Sequence, residues 1–483
     1  MDTNDFSVIA KTKSAQISTN GVERGGSHCP LSQLPNDIFR EVFVHCLPPP
    51  RHVRSDPCLP PLLLTQVCSR WRAIAISTPR LWSTIHVRSR VNDECRGKVD
   101  GHASKREEGI SLWLARSGAR PLLVSLGSPS SDFLQDDDYE NCEDMARLLV
   151  QFLPLGDRVR ELRLHIASST LMSITNLMQS CPLNQFTKLN RLELRLEVSP
   201  ADTYGPGDET DTAQGLRCFK LGDITSLQEL VLHDVPSSSA TRLAQLIPGS
   251  RLHSLTIKQH ISIATVTTLL RICTNLVTFR AHISEYPYES SMWPPSSGSE
   301  KITVEKLQHL ALDLPDFGDL AGVDFFAGLN LPTLKSLQLR AEEEHKNFHV
   351  LSTIFERWGS SLISLKIETT FLPTFAVMGI LEATSNLVQL HLYDHCTPPQ
   401  GSECEDSGFN DEIMEALPPK SDEDDSYLIP NLQYFRCEGS SALFSDAALD
   451  NFVVARSTSP SAARLKQVLV RFFRCRVERE AFS

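Results

Sequence analysis

His391, His395 and Cys396 form the densest local group in this chain that could ligate a metal or attack an electrophile. A zinc site needs its ligands held at roughly 2.0–2.3 Å from the ion. The spacing here does not supply that: His391 falls at an outward position of an expected strand, and the other two lie past its end. The 15 His and 13 Cys are otherwise scattered, with no Cys-x-x-Cys pair. That argues against a structural zinc module and against a dense disulfide scaffold. No phosphate-cradling glycine loop, nucleophile elbow or His-Glu-x-x-His pattern occurs. Carboxylates cluster, seven in residues 132–144 and ten in 402–425, with Lys420 the single base in either run. A solvated run of this kind does not hold two carboxyls in fixed geometry with separated pKa values. The chain is therefore read as non-enzymatic, with no catalytic residue, no metal and no cofactor.

The two acidic runs carry −7 and −9, against −12 for all 483 residues, so the remainder is close to +4. An acidic balance argues against nucleic acid and anionic membrane as partners, since both need basic surface. Apolar residues make up 41%, an ordinary globular share. The first 30 residues lack an apolar leader pattern, no run of 18 apolar residues exists, and no Asn-x-Ser/Thr sequon occurs. An intracellular location, cytoplasmic or nuclear, is expected.

The elements that must position any site emerge from a repeat. The unit L-x-x-L-x-L, with other apolar residues allowed, starts at Val159, Leu189, Leu227, Leu252, Leu276, Leu307, Leu334, Leu362, Leu387, Leu432 and Leu465. From first start to last is 306 residues, a mean step of about 31, with individual steps of 24 to 45. The positions +3 and +5 alternate with polar neighbours, which is the period of a strand. On a helix, +5 would lie about 140° from the first Leu, off the apolar stripe. Helical stretches such as ATVTTLLRICTNL fill the gaps, so the unit is strand, loop, helix, loop. One unit cannot bury its own apolar face, and stacking units side by side does so. The array resembles the leucine-rich repeat family, without the Asn or Cys that family carries at +8. The resemblance implies an α/β fold: an irregular solenoid of parallel strands backed by helices, spanning residues 121–483. The acidic runs at 132–144 and 398–428 read as loop insertions, and the second as a disordered excursion.

Ahead of the array lie a polar tail (1–29), a segment with two amphipathic helices (30–87), and a polar linker ending in a short helix over 111–118 with Gly118 as its stop (88–120). In the first helix Ile38, Val42 and Cys46 fall four apart, beside a row of Phe39, Phe43 and Leu47. The second is expected to run through LLLTQVCSRWRAIAIS. The motifs Leu34-Pro35, Ile38, Val42-Phe43, Val67-Cys68, Trp71 and Leu81-Trp82 occur in an order that resembles the F-box, in the variant common in fungi, with a Pro-rich insert from Pro48 to Pro61 lengthening the loop between the helices.

This resemblance covers about 58 residues and implies docking to a Skp-type adaptor, and through it to a cullin. The residues it assigns to that contact are Leu34, Pro35, Ile38, Val42, Phe43, Val67, Cys68, Trp71, Leu81 and Trp82. The repeats would then hold a protein substrate, making the chain the recognition subunit of an SCF-type ubiquitin ligase. The alternative is an interaction scaffold in which the helical pair only caps the solenoid. In each unit +2, +4 and +6 point to the concave face. Those positions hold nine Lys/Arg and six acids, a surplus of three positive charges. Arg163, Arg195, Lys258, Arg280, Arg340, Lys366 and Arg436 are the candidate substrate contacts, and they suit an acidic or phosphorylated partner.

Overall fold

The computed structural model describes residues 33–49, 53, 56–88, 99–127, 148–167, 185–197, 221–233, 240–283, 301–314, 325–341, 349–369, 373–394, 409–418, 427–439, 444–459 and 461–472. The tail 1–29, the acidic run 132–144, His395 and Cys396 lie outside them. Thirteen strands form one sheet in the order of the sequence. They are β1 (Thr84–Arg88), β2 (Leu122–Gly127), β3 (Val159–Ala167), β4 (Arg191–Glu197), β5 (Glu229–His233), β6 (Ser254–Ile261), β7 (Thr278–Ile283), β8 (His309–Leu314), β9 (Ser336–Ala341), β10 (Ser364–Thr369), β11 (Gln389–Asp394), β12 (Tyr434–Gly439) and β13 (Gln467–Phe472). Every neighbouring pair is parallel. The chain is thus an α/β protein built on a parallel sheet.

All eleven repeat starts lead into a strand of this sheet: ten of the strands begin two residues after the start, as at Leu307 and β8, and β3 begins at its start, Val159. In ten units the first residue and those at +3 and +5 are buried. The unit at Leu307 is typical: Leu307, Leu310 and Leu312 are sealed in the core. In the last unit Leu465, Val468 and Val470 are only half-buried, because no described strand continues the sheet past β13.

The +1 residue makes the link between units. Its carbonyl receives backbone amides from the next strand's entrance. His253 N–H and Ser254 N–H both donate to Gln228 O at 2.8 and 3.0 Å, and Val277 and Thr278 donate to His253 O at 2.8 and 3.0 Å. The chain of acceptors continues through Val277, Gln308, Lys335, Ile363, Val388 and Gln433. Polar side chains at −1 satisfy further carbonyls of the preceding unit. Ser226 Oγ donates to Leu189 O (2.7 Å), Ser361 Oγ to Leu334 O (2.9 Å) and Asn386 Nδ2 to Ser360 O (2.7 Å). These bonds sit on the entrance side of the strands.

Helices return the chain between strands: α4 (Ala240–Leu246), α5 (Ile263–Ile272), α6 (His349–Trp358), α7 (Thr374–Ala383), α8 (Asp411–Ala416) and α9 (Asp446–Thr458) among those described. Three begin at a side-chain cap, with Ser262, Asn410 and Ser445 accepting the N–H of Thr265, Ile413 and Ala448. Two arginines near helix ends reach into neighbouring turns. Arg357 donates to Ala327 O and Leu329 O. Arg456, fully buried, donates to Ile429 O, Pro430 O and Leu432 O. A buried carbonyl left without a donor costs about 1–3 kcal/mol.

Three expectations change. The second amphipathic segment is not one helix: a 3-10 turn over Leu63–Thr65 ends, and a separate helix, Ser69–Ile76, begins at Cys68, whose sulfur accepts Trp71 N–H. The linker is largely a helix, Val99–Arg116, which begins twelve residues before the expected 111–118. Only Ile110 and Trp113 are buried near its end, while good helix formers such as Lys105, Arg106, Glu107 and Glu108 carry the rest. Gly118, at φ +58°, terminates it as expected. The acidic insertion 398–428 contains α8, anchored by buried Phe409, Ile413 and Met414.

Three glycines three residues ahead of a repeat start share one contact. A Cβ on Gly156, Gly249 or Gly359 would lie 2.5–2.6 Å from the backbone oxygen of Gln185, Ile272 or Ala383, in the next unit. Gly379, inside α7, faces open space. Gly359→Ala is expected to lower stability by about 1–3 kcal/mol. Gly379→Ala is expected to raise it by up to ~1 kcal/mol. Thermal unfolding of the two variants checks the opposite signs.

Candidate functional site

Two surfaces collect the residues singled out by the sequence. The first is the helical pair, α1 (Asn36–His45) and α2 (Ser69–Ile76), the linker helix Val99–Arg116 being α3. Arg70 ties the start of α2 to the start of α1, donating to Leu34 O (2.6 Å) and to Asn36 Oδ1 (3.0 Å). Phe39, Phe43 and Trp71 pack as a tilted aromatic trio with centroids 4.9–5.9 Å apart. On the outer side, Leu34, Ile38, Val42, Leu63 and Val67 remain 36–55% exposed. Ile38 and Val42 are one turn apart on the same side of α1. Pro35 and Cys68 are exposed beside them.

The ten residues assigned to adaptor contact therefore divide. Leu34, Pro35, Ile38, Val42, Val67 and Cys68 face outward, and Trp71 is half-buried. Phe43, Leu81 and Trp82 are sealed in the core and offer nothing to a partner in this state. The reason is local. Trp82 donates its indole N–H to Ala75 O (2.9 Å), meets Trp113 of α3 edge-on at 4.9 Å, and lies under the Arg116 guanidinium. Trp113 in turn donates to Thr84 O at the start of β1 (3.2 Å). The helical pair is thus welded to the first strand of the sheet. Sequence reading missed Leu63, because it was placed inside a continuous helix.

The second surface is the polar face of the sheet, where +2, +4 and +6 of successive strands align in rows. All seven candidate cations occupy this face, but the rows neutralise much of their charge. Glu161, Arg191 and Glu229 stand opposite one another on β3, β4 and β5, with Arg191 2.9 Å from Glu229. Arg163 lies 3.4 Å from both Glu161 and Glu193, and His233 lies 3.1 Å from Glu193. The +6 row runs His282, Asp313, Arg340, Glu368, Tyr393, Glu438, Arg471 across β7 to β13. Within it His282 and Asp313 are 3.0 Å apart and Arg340 and Glu368 3.8 Å. Lys366 pairs with Glu368 and Arg436 with Glu438. A register shift between Ile257 and His260 displaces Lys258, which is exposed, as is Arg195. Arg280 is half-buried on β7.

At the far end of this face the +2 and +4 rows of β10 to β13 line a cavity of about 300 Å³. Ser364, Gln389, Tyr434 and Gln467 supply the +2 row, and Lys366, His391, Arg436 and Leu469 the +4 row. The uncharged +2 residues escaped sequence reading, which tallied charge; aligning units side by side would have placed them against the +4 cations. Burial, with Lys366 and Arg436 on the neighbouring strands, depresses the His391 imidazole to about 4. Burial alone would raise the Glu368 carboxyl, but its hydrogen bond from Lys366 and the nearby charges hold it below the usual carboxylate range. The hydrogen bond from Arg436 does the same for Glu438.

Among the described residues no group of three His, Cys, Asp or Glu is placed to hold a metal. None of the described helices is long and apolar enough to cross a membrane. Among the described residues the exposed thiols are Cys46, Cys58 and Cys68, and burial pushes the Cys273 thiol up to about 12. No protein-family model and no curated protein sequence matches this chain.

His391 is expected to titrate near pH 4 when followed by histidine NMR, against an ordinary value of about 6.5. Because the unfolded chain takes up this proton first, stability is full above about pH 6.5 and falls as pH drops toward 4. Glu368 and Glu438 add loss in the same direction at lower pH, as their ion pairs are protonated. Unfolding midpoints measured from pH 7 to 4 should decline, and His391→Asn should flatten the upper part of that decline.

Proposed function

We propose that this chain is the substrate-recognition subunit of an SCF-type ubiquitin ligase. The helical pair reads as an F-box-like module that docks a Skp-type adaptor and, through it, a cullin. The parallel sheet reads as an irregular leucine-rich-type solenoid whose polar face holds a protein target. The protein performs no chemistry of its own: it raises the effective concentration of target lysines near the conjugating machinery. It acts inside the cell, in cytoplasm or nucleus.

The observation that carries this reading is the exposed apolar set Leu34, Ile38, Val42, Leu63 and Val67, on a helical module whose other side is already buried. Five large apolar side chains held in water on one small module mark an interaction surface rather than a core. Four of them, Leu34, Ile38, Val42 and Val67, belong to the pattern that resembles the F-box in the sequence. Ion pairing across the sheet rows gives the polar face a fixed charge pattern suited to selecting one partner by complementarity.

The weld of Trp82 onto Trp113 and β1 favours a second role for the same module. Its inner side closes the apolar end of the sheet, as a cap must in any stacked array. If that were its whole purpose, the chain would be an interaction scaffold.

The two readings separate in a pull-down with a purified Skp-type adaptor. Ile38→Asp with Val67→Asp is expected to abolish adaptor binding without shifting the unfolding midpoint, because both side chains stand in solvent. Trp82→Ala is expected to lose about 3–5 kcal/mol of stability through the cavity it leaves. Failure of the folded wild type to bind the adaptor would leave the scaffold reading in its place.

A further inference from the structure

The two edges of the sheet are finished differently. At β1 the outward backbone groups are taken up: His86 N–H donates to Val53 O at 2.8 Å, and Thr84 O accepts the Trp113 indole N–H. At β13 no described segment does this. Leu465, Val468 and Val470 hold the positions that are sealed in the other ten units, and here they are half-buried. On α9, the last described helix, Leu449 and Val453 are also only partly buried. Gln467 N–H donates to Gln433 O at 3.2 Å, so Gln467, Leu469 and Arg471 turn their backbone groups toward β12. Alternation then turns the N–H and C=O of Val468 and Val470 outward. Natural sheets blunt an open edge with Pro, a bulge or a protruding charge. β13 holds no Pro or Gly, and its register with β12 is unbroken. Its cations are engaged with β12: the Lys466 ammonium lies 5.7 Å from the Tyr434 ring centre, and Arg471 stands opposite Glu438, whose charged form it favours. At +4, where β10 to β12 carry Lys366, His391 and Arg436, β13 carries Leu469.

We propose that two copies of this chain pair through β13, antiparallel, about a two-fold axis normal to the sheet that passes between Leu469 and its counterpart. That register sets Val468 of each copy opposite Val470 of the other on the core face, where their amides and carbonyls exchange hydrogen bonds. On the polar face Leu469 meets its own copy, and Gln467 meets Arg471 with no like charge opposed. Moving the axis one residue toward the C-terminus sets Leu469 against Arg471. Moving it one residue the other way sets Lys466 against Val470 on the core face. A two-fold interface requires a surface that matches itself, and β13 does so at this one register. Residues 473–483 hold no Gly, Pro, Asn or Asp with which to turn back along the strand. In the pair the sheet runs on through both copies, and the half-open core of each last unit is closed by the other. The helical modules stand at the two far ends with their exposed apolar sets uncovered.

The test is light scattering coupled to size-exclusion chromatography, on the full chain across a concentration series. The particle mass is expected to rise with concentration to twice that of one chain. Leu469→Glu sets two carboxylates face to face across the axis, while Arg436, opposite on β12, accommodates each within its own copy. Leu469→Lys sets two ammonium groups there. Each is expected to weaken the dimer at least tenfold, with circular dichroism verifying that both stay folded. Mixed in equal amounts, the two variants are expected to recover the dimer, because opposite charges then meet across the axis. A dimer that both variants leave unchanged would overturn the proposal, as would two single-chain variants that stay apart when mixed. So would a wild type that remains single at every concentration. A chain ending at Phe472 then tells what holds the edge: a dimer on removal of 473–483 assigns it to that segment, and a chain still single assigns it to a different protein.

Discussion

Each unit of this protein must hand the carbonyl of its +1 residue to the amides that open the next strand, and nearly everything else follows from that link. The acceptors run from Asn190 through Gln433 without a break, even across the 45-residue step between Leu387 and Leu432. Because the bond is backbone to backbone, it is indifferent to side chain: His253, Val277 and Lys335 serve equally. Because it fixes the register at the entrance, +3 and +5 of every strand fall on the same side. A slip of one residue would turn all of them into water. The connecting segments are free to vary in length, since only their ends are constrained.

The same register writes the chemistry of the polar face. Side chains of equal position stand about 4.8 Å apart on successive strands, close enough for opposite charges to pair and for like charges to repel. Glu161–Arg191–Glu229 and Asp313–Arg340–Glu368 are alternations enforced at that distance. The sheet therefore treats its own surface charges as a lattice. The alternation lapses at Lys366, His391 and Arg436, where the countercharges of the two cations are set along the strand instead of across it.

The strands were legible in the sequence because their signal is short-range: Leu at a start, at +3 and at +5 reports burial directly. The seven candidate cations were legible as outward-facing for the same reason. The helix Val99–Arg116 was not, because its first turns bury no described side chain and so leave no periodic trace. The sealing of Phe43, Leu81 and Trp82 was equally hidden, since it depends on Trp113, 31 residues beyond Trp82 and unrelated by any local pattern. The cavity was invisible for a third reason. Ser364, Gln389, Tyr434 and Gln467 are unremarkable within their own units and acquire meaning only when strands separated by 25 to 45 residues are laid side by side.

The weld between Trp82 and Trp113 has a mechanical side. It joins the helical module to β1 through rigid rings and an indole hydrogen bond, with no swivel between module and sheet. From β1 to β10 there are nine strand steps, roughly 43 Å measured along the sheet. The distance from the module to β10 is therefore set, as on a ruler, by hydrogen-bonded steps. Removing one complete unit would shorten that distance by a single graduation and leave both ends intact. For the proposed receptor, which lysines of a target come within working distance would then be a matter of counting strands.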